Sequence, residues 1–498
     1  MRQRVAELRE PAQKYFFLFI ALLLVFSLVL QWLGKNTLDH DELEAVRWGL
    51  ASSWVVDKHP PLTGWIGHFW AMATGYSTFF FLLFSKLNAF VALIMIYLLN
   101  REFLSPKLAL LSVAAFATSY PFIIMSQQLD ANSVVIAIWP LTALLAWRAL
   151  NQDNVFLWCI LGLTAAMATL GKYHTVLFCI ALFGAFCSHS KARLPKQWIL
   201  LGLAVSCFIA ILSPHLYGLW KFDFPTFTYA SNRIFQDAES QVSGRLSALV
   251  WLPAQILFNL FGVVFLIWLL WRKKAFSVRA NKEQNVQRFL IWVGLVFPIL
   301  PIAVSVIMDI QLATYWGFNA WFLTPTLALY LIPAEKVSHI QSISLKWFCW
   351  FFPFYLLLST ALIIANQFSD VARPSAIPAA SHLIDKKWRE STNDPLTLVI
   401  SPSRQGQGLA FYSDFHPNVA NGTQAKNFPW LLDAALCHSG GVAFLALPEQ
   451  TQWLASKEID HGAPSFQYTV TADENSGQFT KVKPLTFSVL AYTGGLCF

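Results

Sequence analysis

Charge is scarce in this sequence. Of its 498 residues only 12% are Asp, Glu, Lys or Arg, against about 25% in soluble domains. Hydrophobic residues make up 56%, and mean hydropathy is +0.51. This balance excludes a water-soluble globular enzyme and predicts a polytopic membrane protein. Nucleotide signatures are missing too: there is no Walker loop, dinucleotide fingerprint or serine-nucleophile motif. His59, His174 and His215 have no standard zinc spacing, so no metal is assigned to them. The first apolar run lacks a small-residue cleavage site and is too long for a signal-peptide core, which predicts an uncleaved anchor. No convincing repeat is visible, which argues against the two-halved plan of many transporters. The net charge of +8 is expected to be topological, with no nucleic-acid partner.

What is present is a series of apolar runs. About eleven are candidate spans, near 15–34, 77–99, 108–125, 132–150, 155–170, 173–188, 198–217, 247–271, 289–308, 318–333 and 347–366. The runs 155–170 and 173–188 are short, as tilted helices or a re-entrant pair would be. Lys and Arg collect in alternate loops: before the first run, after the second, sixth and tenth, and between the eighth and ninth. The positive-inside rule makes that side cytoplasmic. The N-terminus is then expected inside, and the C-terminal region outside, in the periplasm of a bacterium whose inner membrane holds the chain.

The unusual polar residues fall on the outer side. Asp39-His40-Asp41-Glu42 follows the first run, and Lys58-His59-Pro60-Pro61 follows shortly after. Between them, residues 42–54 read as an amphipathic interfacial helix, and residues 62–74 as a second. Asp130 precedes Ala131-Asn132-Ser133, Lys172-Tyr173-His174 joins two runs, and Arg233 lies in an aromatic-rich loop. Carboxylates at a membrane surface suit general-base catalysis or coordination by hard oxygen ligands. The alternative is a helix cap, with Asp39, Asp41 or Asp130 at the N-terminus and acids along the dipole. Lys172 either snorkels or holds an anion, for which a phosphate is the obvious candidate. Lys58 and His59 add positive charge beside the acids.

In order and side of the membrane, these motifs resemble the GT-C membrane glycosyltransferases over about residues 10–330. The resemblance is to the bacterial family-39-like branch, related to protein O-mannosyltransferases and to the aminoarabinose and galacturonic acid transferases of lipid A. It implies a polyprenyl-phosphate-linked sugar donor, a lipid or glycan acceptor such as lipid A, a polyprenyl phosphate leaving group and inversion at the anomeric carbon. It assigns Asp41 as the catalytic acid residue with Glu42 as its partner and Asp130 as the second acid. Lys172 and His59 match the family's phosphate-handling positions; Lys58 and Arg233 are added to the donor phosphate from their own charge, with Asp39, His40 and Tyr173 in support. For a hydroxyl acceptor Asp41 is the base; for a phosphate acceptor it steadies an oxocarbenium-like sugar. Relatives often carry an acid directly before the Lys/His-Pro-Pro motif; here Lys58 stands there and Asp57 is one position off. Relatives vary in metal use, and no cofactor or metal is assigned.

The expected fold is therefore an all-α polytopic membrane domain, residues 1–370, followed by a small α/β extracytoplasmic domain, residues 371–498. Pro374 and Pro378 mark a linker. Pro395–Ile400, Val442–Leu447 and Leu485–Tyr492 read as strands, and Gly406–Tyr412 as a helix start. If this region is extracytoplasmic, Cys437 and Cys497 can form a disulfide. The five other cysteines lie in apolar segments and are expected to be packing residues.

Overall fold

A computed structural model describes residues 11–35, 37–236, 244–272, 283–332, 337–366, 376–421, 440–472 and 484–494. Each of the eleven apolar runs is helical, but they are not eleven equal spans. Among the described residues, six helices are long and apolar enough to cross a membrane: Gln13–Gly34, Thr78–Asn100, Ala131–Asn151, Pro195–Lys221, Gln284–Met308 and Lys346–Ala365. Arg245–Phe258 and Leu260–Arg272 meet at a 64° bend and make a seventh if they form one span.

Shorter apolar helices fill in at Pro106–Ala117, Val155–Gly171 and Thr175–Ser188. The run expected at 108–125 breaks after Ala117. There the Thr118 and Ser119 hydroxyls bond back to the Ala114 and Phe116 carbonyls, and Pro121 opens the short helix Tyr120–Met125. The run expected at 318–333 is a 3₁₀ stretch, Thr314–Leu323, followed by Thr324–Tyr330 with Pro325 in its first turn.

The two interfacial helices form at His40–Leu50 and Leu62–Ala73. They cross at Gly49 and Gly64, where backbone meets backbone: a Cβ at Gly49 would lie 2.1 Å from the Gly64 carbonyl oxygen. Glycine at both positions allows that approach.

The C-terminal unit holds a five-stranded sheet, β1 Leu396–Ser401, β2 Asn418–Asn421, β3 Gly441–Ala446, β4 Phe466–Ala472 and β5 Leu485–Tyr492, in the order β2-β1-β3-β5-β4. β1 is parallel to β2 and β3, whereas β5 is antiparallel to β3 and β4. The expected linker is shorter than the sequence suggested: Pro378 sits in the first turn of a helix, Ile377–Ser391, whose Ile384 and Trp388 pack on the sheet core.

This unit rests directly on the first loop. The Leu38 amide donates to the Tyr412 hydroxyl at 2.8 Å, Arg47 Nη1 donates to the Val419 carbonyl at 3.4 Å, and Tyr76 stacks on His416 at 3.5 Å between ring centres.

Candidate functional site

The helix that begins at His40 has Asp39 as its N-cap. Glu42 Oε2 accepts the Asp39 amide at 2.8 Å and the Lys35 ammonium at 2.8 Å; Lys35 also donates to Asp39 Oδ2 at 2.9 Å. Lys35 and Glu42 are both buried. Burial acts to lower the Lys35 pKa, but Asp39 and Glu42 more than offset it and hold it above the ordinary lysine value. The cap reading therefore holds for Asp39, and Glu42 turns inward onto the same cation. Removing one partner of a buried pair strands the other. Lys35→Met is expected to destabilise the protein by about 3–5 kcal/mol, seen as a lower midpoint in thermal unfolding.

The next acids are also engaged. Arg47 Nη2 donates to both Asp57 oxygens at 3.1 and 3.0 Å, and Trp48 Nε1 donates to Asp57 at 2.8 Å. Lys58 donates to Glu44 at 2.7 Å, with Arg47 3.6 Å from the other Glu44 oxygen. Asp57 thus locks the loop to the helix. His59 packs edge-on to Trp48 at 5.4 Å. Burial lowers the Lys58 pKa, but the fields of Glu44 and then Asp41 raise it above the ordinary value. Asp41 differs from its neighbours: among the described residues no cation bridges it and no donor bonds to it.

Asp130 faces this helix from across the site. It caps Ala131–Asn151: Oδ1 accepts the Ser133 amide at 2.6 Å, and Oδ2 accepts Gln128 Nε2 and Asn132 Nδ2, each at 3.1 Å. Burial pushes its pKa up against the Ser133 bond, and the charge of Asp41 pushes the same way. Lys172, half-buried at the end of Val155–Gly171, reaches the Asn132 side-chain oxygen. Burial lowers its pKa to about 8, with Asp130 acting in the opposite sense. Asp41, Asp130, Lys172 and Lys58 thus share one electrostatic neighbourhood.

Tyr173 and His215 close the site's edge. His215 Nδ1 lies 2.6 Å from the Trp54 carbonyl and must donate to it, so Nε2 accepts the Tyr173 hydroxyl at 2.9 Å. Both His215 nitrogens are therefore committed. His174 is half-buried, and desolvation first, then Lys172, lowers its pKa to about 3. Phe227 stacks on Tyr173, and Thr226 bonds the Val56 carbonyl, which seats the helix Pro225–Gln236 against the loop. Arg233 lies on that helix, with its side chain outside the described residues. Cys437 and Cys497 lie outside the described residues as well.

Sequence reasoning missed Lys35 and Lys86. Lys86 sits inside the helix Thr78–Asn100, where its ammonium donates to Gln127 Oε1 at 2.5 Å and Ser27 Oγ at 3.3 Å. Gln127 also bonds Gln31 and Ser359. The network anchors the loop whose next residue, Gln128, holds Asp130. A lysine within an apolar run was the available signal, because such a residue must face the bundle interior and find polar partners.

His40, Asp41 and Glu44 bring ligand atoms within 4.8 Å of one another. Glu44 is already matched by Lys58 and Arg47, so the charge that would draw a divalent ion is largely met, and no step is routed through a metal.

The family described as dolichyl-phosphate-mannose-protein mannosyltransferase matches residues 58–218. That segment contains Lys58, His59, Asp130, Lys172 and Tyr173, but not Asp41. No curated protein sequence matches the chain. Among solved structures, ArnT from Cupriavidus metallidurans bound to undecaprenyl phosphate aligns with a TM-score of 0.56 and 12% identity, covering 94% of this chain and 98% of that one. Its apo form gives the same score and identity, with 94% and 97% covered. The oligosaccharyltransferase AglB from Archaeoglobus fulgidus, with an inhibitory peptide and a dolichol-phosphate, aligns at 0.43 and 11% over 89% and 70%. The chain is a membrane protein of the GT-C glycosyltransferase fold.

Proposed function

We propose that the protein transfers a sugar from a polyprenyl-phosphate donor to an envelope acceptor, lipid A or another glycan, with inversion. The observation that carries this is the contrast among the acids of residues 39–57. Asp39, Glu42, Glu44 and Asp57 are held by Lys35, Lys58 and Arg47, whereas Asp41 has no such bridge among the described residues and acts through its charge on Lys58 and on Asp130, which in turn feels Lys172. An unbridged carboxylate in the same neighbourhood as ammonium groups suits a reaction that takes a proton on one side and releases a phosphate on the other.

The acceptor hydroxyl attacks the anomeric carbon and gives its proton to Asp41. The bond from that carbon to the donor phosphate oxygen breaks, and its electron pair leaves with polyprenyl phosphate. Lys172 and Lys58 meet the developing charge, with His59 and Arg233 assigned beside them. Asp130 orients Asn132 and Lys172, Glu42 and Asp39 fix the helix start, and His40 and Tyr173 line the edge. Residues 1–370 are assigned to catalysis and 371–498 to the domain that braces the first loop. By loop charge, the site faces the periplasm of a bacterial inner membrane.

A flippase for the same donor is the rival reading. Its ionisable groups would sit near the midplane of two repeated halves, whereas these cluster at one end of the helices. The test is a proteoliposome assay with radiolabelled sugar on undecaprenyl phosphate and an envelope lipid extract. Label moving onto the extract, with free undecaprenyl phosphate produced, supports transfer. Label crossing the bilayer while still attached to its donor supports the flippase.

A further inference from the structure

The far end of the bundle carries a second polar site. Ala131–Asn151 has Asp130 at one end, and its length of about 30 Å at 1.5 Å per residue separates that acid from a cavity of about 520 Å³. Ser188, Ser190, Arg193, Trp198, Asn285 and Arg288 line it. The two walls, residues 187–198 and 284–288, are far apart in sequence and fixed to each other. The Ser190 amide donates to Asn285 Oδ1 at 3.0 Å, Asn285 Nδ2 donates to Ser190 Oγ at 2.9 Å, and Arg288 Nη1 donates to the Ser188 carbonyl at 2.7 Å.

Three neighbouring cations have carboxylate partners. Arg148 bonds Glu102 at 3.0 and 2.9 Å, and Lys191 and Lys196 each lie 3.5 Å from Asp153. Arg193 and Arg288 have none among the described residues. Burial, then Lys191, then Arg288 also lower the pKa of His189, which lines the same cavity, as a positive local potential would. Topology signals alone explain basic residues in this region. They do not require two guanidinium groups on opposite walls of a built cavity, with a tryptophan of the interfacial kind at its rim.

Guanidinium groups match phosphate oxygens in pairs and are weakly hydrated. We propose that this cavity binds a phosphate-bearing anion, supplied by an anionic phospholipid headgroup or by a soluble phosphate. The site is independent of the sugar-transfer reading, since its residues share no contact with the acidic helix.

The full chain is placed in nanodiscs of phosphatidylcholine with or without phosphatidylglycerol, as wild type, Arg193→Gln/Arg288→Gln, and Arg193→Lys/Arg288→Lys. Bound lipid is counted by native mass spectrometry. The wild type is expected to retain phosphatidylglycerol about tenfold over phosphatidylcholine, the glutamine pair to lose that preference, and the lysine pair to keep part of it. In discs of phosphatidylcholine alone, inorganic phosphate is titrated against melting temperature. A shift there that the glutamine pair abolishes, without phosphatidylglycerol retention, supports the site with soluble phosphate as its source. If the double variant fails to assemble, Arg193→Gln alone serves, because Arg193 is exposed. A wild type that prefers neither phosphatidylglycerol nor phosphate, or a glutamine variant that binds both as the wild type does, overturns the proposal.

Discussion

Asp41→Asn is expected to lower the transfer rate by about 10²- to 10⁴-fold, the usual contribution of a general base. It should do so without lowering the melting temperature. The asparagine keeps the shape of the side chain but cannot take the acceptor proton. Asp41 also makes no bond among the described residues that folding would miss. Glu42→Gln should behave differently. It leaves Lys35 with Asp39 alone as a charged partner, so its loss should appear first in stability. Initial rates and thermal unfolding on the same preparations separate the two. If Asp41→Asn transfers sugar at the native rate, Asp41 is not the base.

The second large effect is a pH dependence of opposite sign in binding and in stability. Lys172 has a folded pKa of about 8, against 10.5 for an ordinary lysine. Between those values the unfolded chain binds more protons than the folded one. Its contribution therefore makes the free protein more stable as pH rises through this window. Donor binding needs the ammonium form and is lost over the same range. Undecaprenyl phosphate affinity is expected to be about tenfold weaker at pH 9 than at pH 7. Lys172→Met should bind weakly at both values, with no dependence left from this group. A purely structural Lys172 would give the stability trend without the binding trend.

The sequence was informative where one segment carries its own signal. Apolar runs located the spanning helices of the bundle, but Pro225–Gln236, read as an aromatic-rich loop, is a helix; strand-like stretches located β1, β3 and β5. β2 and β4 escaped for physical reasons. Asn418–Asn421 is only four residues with a polar residue at each end, and Phe466–Ala472 is an edge strand with polar residues on its open face. In the site, Asp41, Asp130 and Lys172 were visible as ionisable residues at the ends of apolar runs. Their partners were not. Lys35 reaches Glu42 only because the helix start folds back on itself. Tyr173 meets His215 across 42 positions, His215 meets Trp54 across 161, and Leu38 meets Tyr412 across 374. No local pattern encodes such pairings. Lys86 was the exception, a strong local signal passed over because the run around it reads as an ordinary span.

The central claim is that Asp41 and Lys172 belong to one site with different tasks, a base and a phosphate ligand. Undecaprenyl phosphate binding at pH 7, by native mass spectrometry of wild type, Lys172→Met and Asp41→Asn in the same nanodiscs, tests it most directly. It needs neither the sugar nor the acceptor. Lys172→Met is predicted to bind at least about tenfold more weakly. Asp41→Asn should bind as tightly as wild type or tighter, since a negative charge near the phosphate is gone. Equal affinity in all three proteins would contradict the account.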